Sequence, residues 1–357
     1  MINAFYDRLR KFQLILQQQG YDLRLASAQL DNGGTVPVMI QFPTTQIGQQ
    51  ALIALPDVHL AGGNAGDVFY NGDPENPRRL TAVLKAMQTY SLQNQPTTLL
   101  QLGDWYDVWR SIGSDAQSSQ YNLIDDVPAY QELLGLDKAL ELAHCFGNHD
   151  ASFTHALPDR RVADQNRFRF GFGLLNSGGR VYALHGHQAD SIQGEPNSSG
   201  EIRAVWLGTL AANYLSSKFR NLEEFMDKQG NFEGAKDWLL KLVGLNRDDP
   251  TPTGRPPQAP PSDGQTWHAK FVQRESMASL VAIAQAAVDR LYTNAASLEL
   301  LVVGHSHKPC IGWTPHPNTK KPVVVIDCGA WVYGQANLMF AAGNVAAVYD
   351  IVKFGTR

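Results

Sequence analysis

ALIALPDVHL, residues 51–60, is a short apolar run that stops abruptly at Asp57 and His59. The same design recurs in TTLLQLGDWYD (97–107), ALELAHCFGNHD (139–150), RVYALHGHQAD (180–190) and LELLVVGHSHKP (298–309). Each is an apolar run followed by Gly, Asp, Asn or His. Near-continuous apolar runs mark strands buried on both faces, as parallel strands are in α/β proteins. Side chains just past the C-terminal ends of such strands converge on one edge of the sheet, where these folds place ligands. Between the runs, 77–91 and 128–142 read as helices. The pattern predicts an α/β fold whose chemistry is gathered at strand ends.

Outside these runs, residues 3–19 place Phe5, Leu9, Phe12 and Leu16 on one helical face. Residues 21–42 read as a hairpin, with Asp31-Asn32-Gly33-Gly34 as the turn between YDLRLASAQL and TVPVMIQF. Toward the other end, PVVVIDCGAWVYG (322–334) and NLMFAAGNVAAVYDI (337–351) read as further strands and suggest a second sheet packed on the first. The interval 191–299 breaks the pattern. Ile202, Val205, Trp206, Leu210, Tyr214, Phe219, Leu222 and Phe225 follow a helical period over 201–226, and a second helical pattern covers 268–291. Between them, 247–266 holds six prolines, which excludes helix and central strand and predicts an extended loop. The expected organisation is a helix-and-hairpin extension (1–49), a core in two parts (50–190 and 300–357) and a mainly helical insertion (191–299). The 201–226 helix either packs on its neighbours or covers the site as a lid.

At roughly 150 residues per domain, 357 residues suit about two domains, or one with an insertion. Thirty Lys+Arg against 34 Asp+Glu give a net charge of −4, which supplies no basic footprint for nucleic acid or an anionic membrane. Three scattered cysteines, Cys145, Cys310 and Cys328, cannot form a disulfide framework, and the odd count suits a reducing compartment. Asp7, Arg8, Arg10 and Lys11 fall where a signal peptide needs apolar residues. No run reaches the roughly 18 apolar residues of a membrane span. A cytoplasmic protein is expected, with peripheral membrane contact left open.

The strand ends supply Asp57 and His59; Asp104 and Asp107; Asn148, His149 and Asp150; His185 and His187; and His305 and His307. Carboxylate oxygen together with imidazole nitrogen suits Mn, Fe, Zn, Co or Ni. No cysteine joins the set, which argues against a structural thiolate zinc site. In Asp-x-His and His-x-His at a strand end, alternate side chains share a side and both can reach one centre. Taken singly, each residue is most simply a buried polar group with satisfied hydrogen bonds. Taken as an ordered set, they are what a metal centre needs. The glycines of GD, GN and GH read as turn residues. Trp105, Tyr106 and Trp109 either wall a substrate or pack the core. His144, His155, His268 and His316 lie outside the motifs and read as ordinary histidines.

The ordered set PDVH, GDWYD, GNHD, HGH and GHSH resembles the calcineurin-like metallophosphoesterase superfamily, over about residues 50 to 335 with the insertion excluded. The resemblance implies a four-layer α/β/β/α sandwich with a site for two divalent metal ions at the strand ends. It assigns one ion to Asp57, His59 and His307 and the other to Asn148, His185 and His305, with Asp104 bridging them. His187 stands as the alternative to His185, or as a supporting or substrate-contacting residue. The implied activity is hydrolysis of a phosphomonoester, phosphodiester or pyrophosphate by attack of a metal-bridging hydroxide. His149 is implied as general acid or charge stabiliser, Asp107 as its orienting partner, and Asp150 as a residue behind the ligands or against substrate. GDWYDVW looks most like the UDP-2,3-diacylglucosamine pyrophosphatase branch, which carries GNRD and HGD where this chain has GNHD and HGH. DNA-repair nucleases share GDxFD and GNHD, but the net charge and the absence of a Lys/Arg cluster beside the motifs argue against nucleic acid. A small-molecule or nucleotide phosphoester is the default partner. A non-catalytic metal-binding scaffold is the reading from another class. Such members lose ligands or the GNH histidine, and this chain keeps both.

Overall fold

Helix α1 (Ile2–Gln18) forms where Phe5, Leu9, Phe12 and Leu16 repeat at helical spacing, and all four are buried. Phe12 meets Tyr90 and Phe340 at ring-centroid distances of 5.6 and 5.9 Å. Each such burial contributes about 1.5–3 kcal/mol, so this helix is held by tertiary packing rather than by propensity. Four short strands follow: β1 (Tyr21–Leu25), β2 (Ser27–Gln29), β3 (Thr35–Pro37) and β4 (Met39–Gln41). Of these, β2 pairs with β3, while β1 and β4 both pair antiparallel with the last strand of the chain, Val345–Lys353. The hairpin expected over 21–42 is therefore confined to its tip. An isolated two-stranded ribbon is marginal in water, and its legs gain by extending a larger sheet.

The body alternates strand and helix: β5 (Ala51–Leu55), α2 (Val68–Gly72), α3 (Asn76–Gln93), β6 (Thr97–Gln101), a 3-10 turn (Pro128–Tyr130) running into α4 (Gln131–Leu140), β7 (Ala143–Cys145) and β8 (Phe168–Arg169). Then come β9 (Gly171–Gly173), β10 (Val181–Leu184), β11 (Leu300–Val303), β12 (Cys310–Pro315), β13 (Pro322–Asp327), β14 (Asn337–Ala342) and β15 (Val345–Lys353). The first sheet has the order β1-β15-β14-β5-β6-β7-β8, with β4 also on β15, and its strands β5 to β8 are parallel. The second has the order β12-β13-β11-β10-β9, with β10, β11 and β13 parallel. The tail forms strands but does not build the second sheet alone. β13 joins β11, while β14 and β15 return to the first sheet beside β5. All six residues of β14 are buried, which demands cover on both faces and an interior position.

The alternation along β5 sets the layers. Ala51, Ile53 and Leu55 belong to a core shared with α1, α3 and α4, whereas Leu52 and Ala54 belong to one shared with Val181, Ala183, Val323 and Val325 of the second sheet. Helices therefore cover one sheet and that sheet covers the other, a mixed α/β sandwich. Among the described residues, three of the expected four layers are seen. The computed structural model describes residues 2–29, 34–42, 50–63, 67–94, 96–107, 124, 126–147, 149–150, 167–169, 171–173, 180–186, 297–316, 319–332 and 334–355. Trp109, Asn148, His155, His187 and His268 lie outside them, as do the helical patterns of 201–226 and 268–291 and the Pro-rich 247–266. No described helix is long and apolar enough to cross a membrane.

Candidate metal centre

The polar residues after β5, β6 and β7 of the first sheet meet those after β10 and β11 of the second. The loops are tied to one another by backbone bonds. The amides of Val58 and His59 both donate to the Asp104 carbonyl, at 3.0 and 2.8 Å, and the Asp107 amide donates to the Leu60 carbonyl at 2.8 Å. The Gly304 amide donates to the His185 carbonyl at 2.9 Å. Asp57 accepts the His305 amide at 2.9 Å through Oδ2, and Asp104 Oδ1 accepts the His149 amide at 2.8 Å. Four of the six described non-glycine residues at positive φ lie here: His59 (58°), Asp104 (52°), His305 (76°) and His307 (59°). Each such residue costs on the order of 1–3 kcal/mol and persists only where its surroundings over-determine it.

The donor atoms gather in two groups. Asp57, His59 and His307 each offer an atom within 4.8 Å of the other two, and so do Asp104, His185 and His305. Asp104 Oδ2 lies between the groups, 3.3 Å from His185 Nε2 and 3.6 Å from His59 Nε2. All these side chains are buried except that of His307, which is 13% exposed. A third group, His59, Asp107 and His149, is joined by hydrogen bonds. Asp107 accepts from His59 Nδ1 at 3.1 Å through Oδ2 and from His149 Nδ1 at 3.0 Å through Oδ1.

These bonds fix two tautomers. His185 Nδ1 lies 2.9 Å from the Leu102 carbonyl oxygen, which can only accept, so Nδ1 carries the proton. Its Nε2 then faces the Asp104 carboxylate. His59 Nδ1 donates to Asp107, so its Nε2 faces Asp104 and, at 3.0 Å, His307 Nε2. An imidazole lone pair rests against a carboxylate only with a cation between them. A proton can fill that role at His185: burial opposes its charge, but Asp104 and Asp57 outweigh burial and push its pKa up to about 10. A divalent cation can fill it at both histidines. Ring nitrogens held from behind by a carbonyl or carboxylate are the usual arrangement of metal-binding histidines, so the residues fit the ions.

Burial is the largest single influence on each of Asp57, Asp104, His59 and Asp150, though not always the winning one. It pushes Asp57 up to about 7, against His185 and with Asp104. It acts upward on Asp104 too, but the imidazoles of His185, His149 and His59 together hold that carboxyl well below the usual range. Burial and His149 depress His59, which favours the neutral, ligating form. Burial and then Asp104 raise Asp150 to about 7. Asp150 accepts the amides of Tyr106 at 2.8 Å, Gly147 at 3.1 Å and Trp105 at 3.3 Å, so it ties the GDWYD loop to the GNHD loop.

The glycines do more than turn. A Cβ at Gly147 would fall 1.9 Å from Asp104 Oδ1, and one at Gly304 would fall 2.2 Å from Asp57 Oδ2. These two positions let backbone approach the carboxylates closely. Trp105 and Tyr106 are core residues, and Trp105 stands edge-on to His144 with ring centroids 5.2 Å apart. His144 is not an isolated histidine. Its Nε2 lies 2.9 Å from Asp137 Oδ1, its Nδ1 lies 3.2 Å from Gln101 Oε1, and Arg167 binds Asp137 at 3.0 Å. His316 is buried and accepts the Thr319 amide through Nδ1 at 3.1 Å. Asp327, also missed, accepts the Gly329 amide at 2.8 Å and that of Ser306, between His305 and His307, at 3.4 Å. The one signal for the Gln101 network was a polar residue inside the apolar run LLQL.

No curated protein sequence matches the chain. Among solved structures it is similar to a candidate 5′-nucleotidase from Staphylococcus aureus in complex with α-ketoglutarate, at 12% identity and a TM-score of 0.34 over 86% of this chain and 55% of that one. It is also similar to a dimetal phosphatase from Danio rerio, at 12% identity and a TM-score of 0.35 over 86% of this chain and 99% of that one. The chain thus spans about half the length of the staphylococcal protein. The calcineurin-like phosphoesterase family matches residues 52–309, well over half of the 357. The chain therefore belongs to the calcineurin-like phosphoesterase family of metal-dependent phosphoester hydrolases.

Proposed function

We propose that this chain hydrolyses a small, diffusible phosphoester at a centre that holds two divalent cations. Asp57, His59 and His307 hold one, His185 and His305 with Asn148 hold the other, and Asp104 is shared. Bound there, divalent ions supply an activated water and stabilise charge on the phosphoryl oxygens. The observation that carries the proposal is the pair of fixed tautomers. His59 and His185 both keep the proton on Nδ1 and turn Nε2 toward the same carboxylate, Asp104.

His149 is the residue proposed to protonate the leaving-group oxygen. Its Nδ1 donates to Asp107, so the proton proposed for transfer is the one that Nε2 carries when the ring is an imidazolium. Asp107 serves two rings at once, so it aligns the proposed acid with the ligand His59. The oxygen and nitrogen donor set, without thiolate, suits Mn, Fe, Co, Ni or Zn. Three buried thiols, Cys145, Cys310 and Cys328, suit a cytoplasmic setting. The net charge of −4 favours a small-molecule or nucleotide ester over a nucleic acid.

The test is metal content measured alongside hydrolysis of p-nitrophenyl phosphate and bis(p-nitrophenyl) phosphate with Mn²⁺, Ni²⁺, Zn²⁺ and Mg²⁺. Turnover that depends on bound metal is expected, and the released product separates monoesterase from diesterase. Two bound metal ions with no turnover across a wider phosphoester panel would favour the scaffold reading. A chain that binds none would end both.

A further inference from the structure

Gln101 is the last residue of β6, is fully buried, and sits two residues before the GD glycine. Its carboxamide bonds are specific. Nε2 donates to the Gly103 carbonyl at 2.6 Å and to the Pro56 carbonyl at 3.3 Å, while Oε1 accepts the Gly103 amide at 2.9 Å. The two carbonyls on one side and the amide on the other fix which end is oxygen and which is nitrogen. Pro56 and Gly103 are the residues immediately before Asp57 and Asp104. The side chain therefore ties together the ends of two neighbouring parallel strands at the point where each delivers its carboxylate. Gly103 (φ 104°) and Asp104 (φ 52°) are two successive residues in the left-handed region, a conformation that needs holding from outside. Behind Gln101, buried His144 on β7 and Asp137 on α4, with the half-buried Arg167 on Asp137, form a chain that reaches Oε1.

We infer that Gln101 is a positioning residue whose carboxamide sets the separation and aim of Asp57 and Asp104. This rests on the metal-centre reading above. A fully buried polar side chain at the end of a strand, flanked by Leu100 and Leu102, carries a desolvation penalty unless its bonds are made. Here three of the bonds are made to backbone atoms of the two motif loops, and a fourth joins Oε1 to His144 Nδ1 on β7.

The experiment compares wild type, Gln101→Leu, Gln101→Glu and the core control Leu100→Ala. Each is titrated with Mn²⁺, with free Mn²⁺ read by electron paramagnetic resonance, and each is melted in chelator. Supporters of metal ligands typically change affinity by about 10–100-fold when lost. Gln101→Leu removes all these bonds and should weaken Mn²⁺ binding in that range. Gln101→Glu keeps the Gly103 amide bond but cannot donate to Pro56 and Gly103. It should show a similar loss, and it decides the matter if the Leu variant does not fold. Leu100→Ala should melt lower yet bind Mn²⁺ as wild type does. Wild-type Mn²⁺ affinity in a folded Gln101 variant, or a loss no greater than that of Leu100→Ala, would overturn the inference while leaving the metal centre standing. A wild-type chain that binds no Mn²⁺ would overturn both.

Discussion

Gly147→Ala adds a single methyl group, and the structure says where it would go. The new Cβ would lie 1.9 Å from Asp104 Oδ1, 2.2 Å from the Asp104 amide nitrogen and 2.6 Å from Cγ. Real Cβ contacts essentially never fall below 3.0 Å, so the gap must widen by at least 1.1 Å (3.0 minus 1.9). Gly147 is not at a positive φ, so alanine suits the backbone and the effect is purely steric. Asp104 cannot swing aside freely. Its Oδ1 accepts the His149 amide, and its carbonyl holds the amides of Val58 and His59. The displacement must therefore pass into the carboxylate shared by the two proposed ions. A misplacement of about 1 Å can reduce turnover by about 10²-fold, and overpacking itself costs about 1–3 kcal/mol of stability. The assay is kcat on bis(p-nitrophenyl) phosphate at saturating Mn²⁺, with chelator melts run in parallel. Gly135→Ala in α4, where a Cβ meets nothing within 4 Å, should leave the rate unchanged. It should add about 0.5–1 kcal/mol of stability. If Gly147→Ala keeps its rate within about twofold of wild type, the close approach is not what protects Asp104, and the geometric argument fails.

Other substitutions probe separate parts of the site. Asp104→Asn should abolish Mn²⁺-dependent turnover with little change in the chelator melt, and near-wild-type kcat would rule out a shared carboxylate. His149→Ala should lower kcat by about 10²–10⁴ on alkyl esters and by less on nitrophenyl esters, which need less proton help. An equal loss on both would remove the acid role. Asp137 tests pH linkage away from the metal residues. Burial acts to raise its pKa, but His144 and Arg167 outweigh burial and hold it below the ordinary carboxylate value. A depressed carboxyl stabilises the fold above its unfolded pKa near 4, and that contribution is lost as pH falls through the lower folded value. Asp137→Asn should thus cost about 3 kcal/mol near pH 7, with the gap to wild type closing below about pH 4 in urea melts. A gap independent of pH would show that the ion pairs are not its source. Saturating Mn²⁺ at about 100 times its Kd should raise wild-type stability by about 2.7 kcal/mol over chelator. An unchanged melt would exclude such binding.

What the sequence discloses, and what it hides, follows from the range of the forces involved. Strands buried on both faces need unbroken apolar runs, so β5 and β11 stand out, and the residues that end them are visible as a set. Helix α1 is legible because Phe5, Leu9, Phe12 and Leu16 repeat at a local period. The partners of β1 and β4 are not legible, because the strand they extend lies more than 300 residues away. The division of the tail between two sheets is hidden for the same reason, since β13 and β14 are equally apolar. GD, GN and GH all look like turns, yet Gly147 and Gly304 are needed because a carboxylate lies against them, and only three dimensions reveal that. Trp105 could have faced substrate by its position in the motif, and burial places it in the core instead. His144 looked ordinary because its partners Asp137 and Arg167 come from α4 and from the residue just before β8.

The site concentrates the two things a fold resists: left-handed backbone at non-glycine residues, and buried carboxylates facing imidazole lone pairs. Both are tolerated because the strand ends that carry them are fixed on either side by a core. Ala51, Ile53 and Leu55 anchor β5 against the helices, and Leu52 and Ala54 anchor it against the second sheet. The backbone therefore cannot relax His59 or Asp104 into ordinary conformations without disturbing one of those layers. The charge has no such mechanical answer. Moving Asp104 away from His59 and His185 would break the bonds that its own carbonyl and Oδ1 make to three amides. The remaining way to lower the energy is to place positive charge between those groups, and the divalent ions proposed for this centre would supply it at both histidines. The same rigidity that makes the arrangement costly without cations would hold its donors in place for the proposed ions.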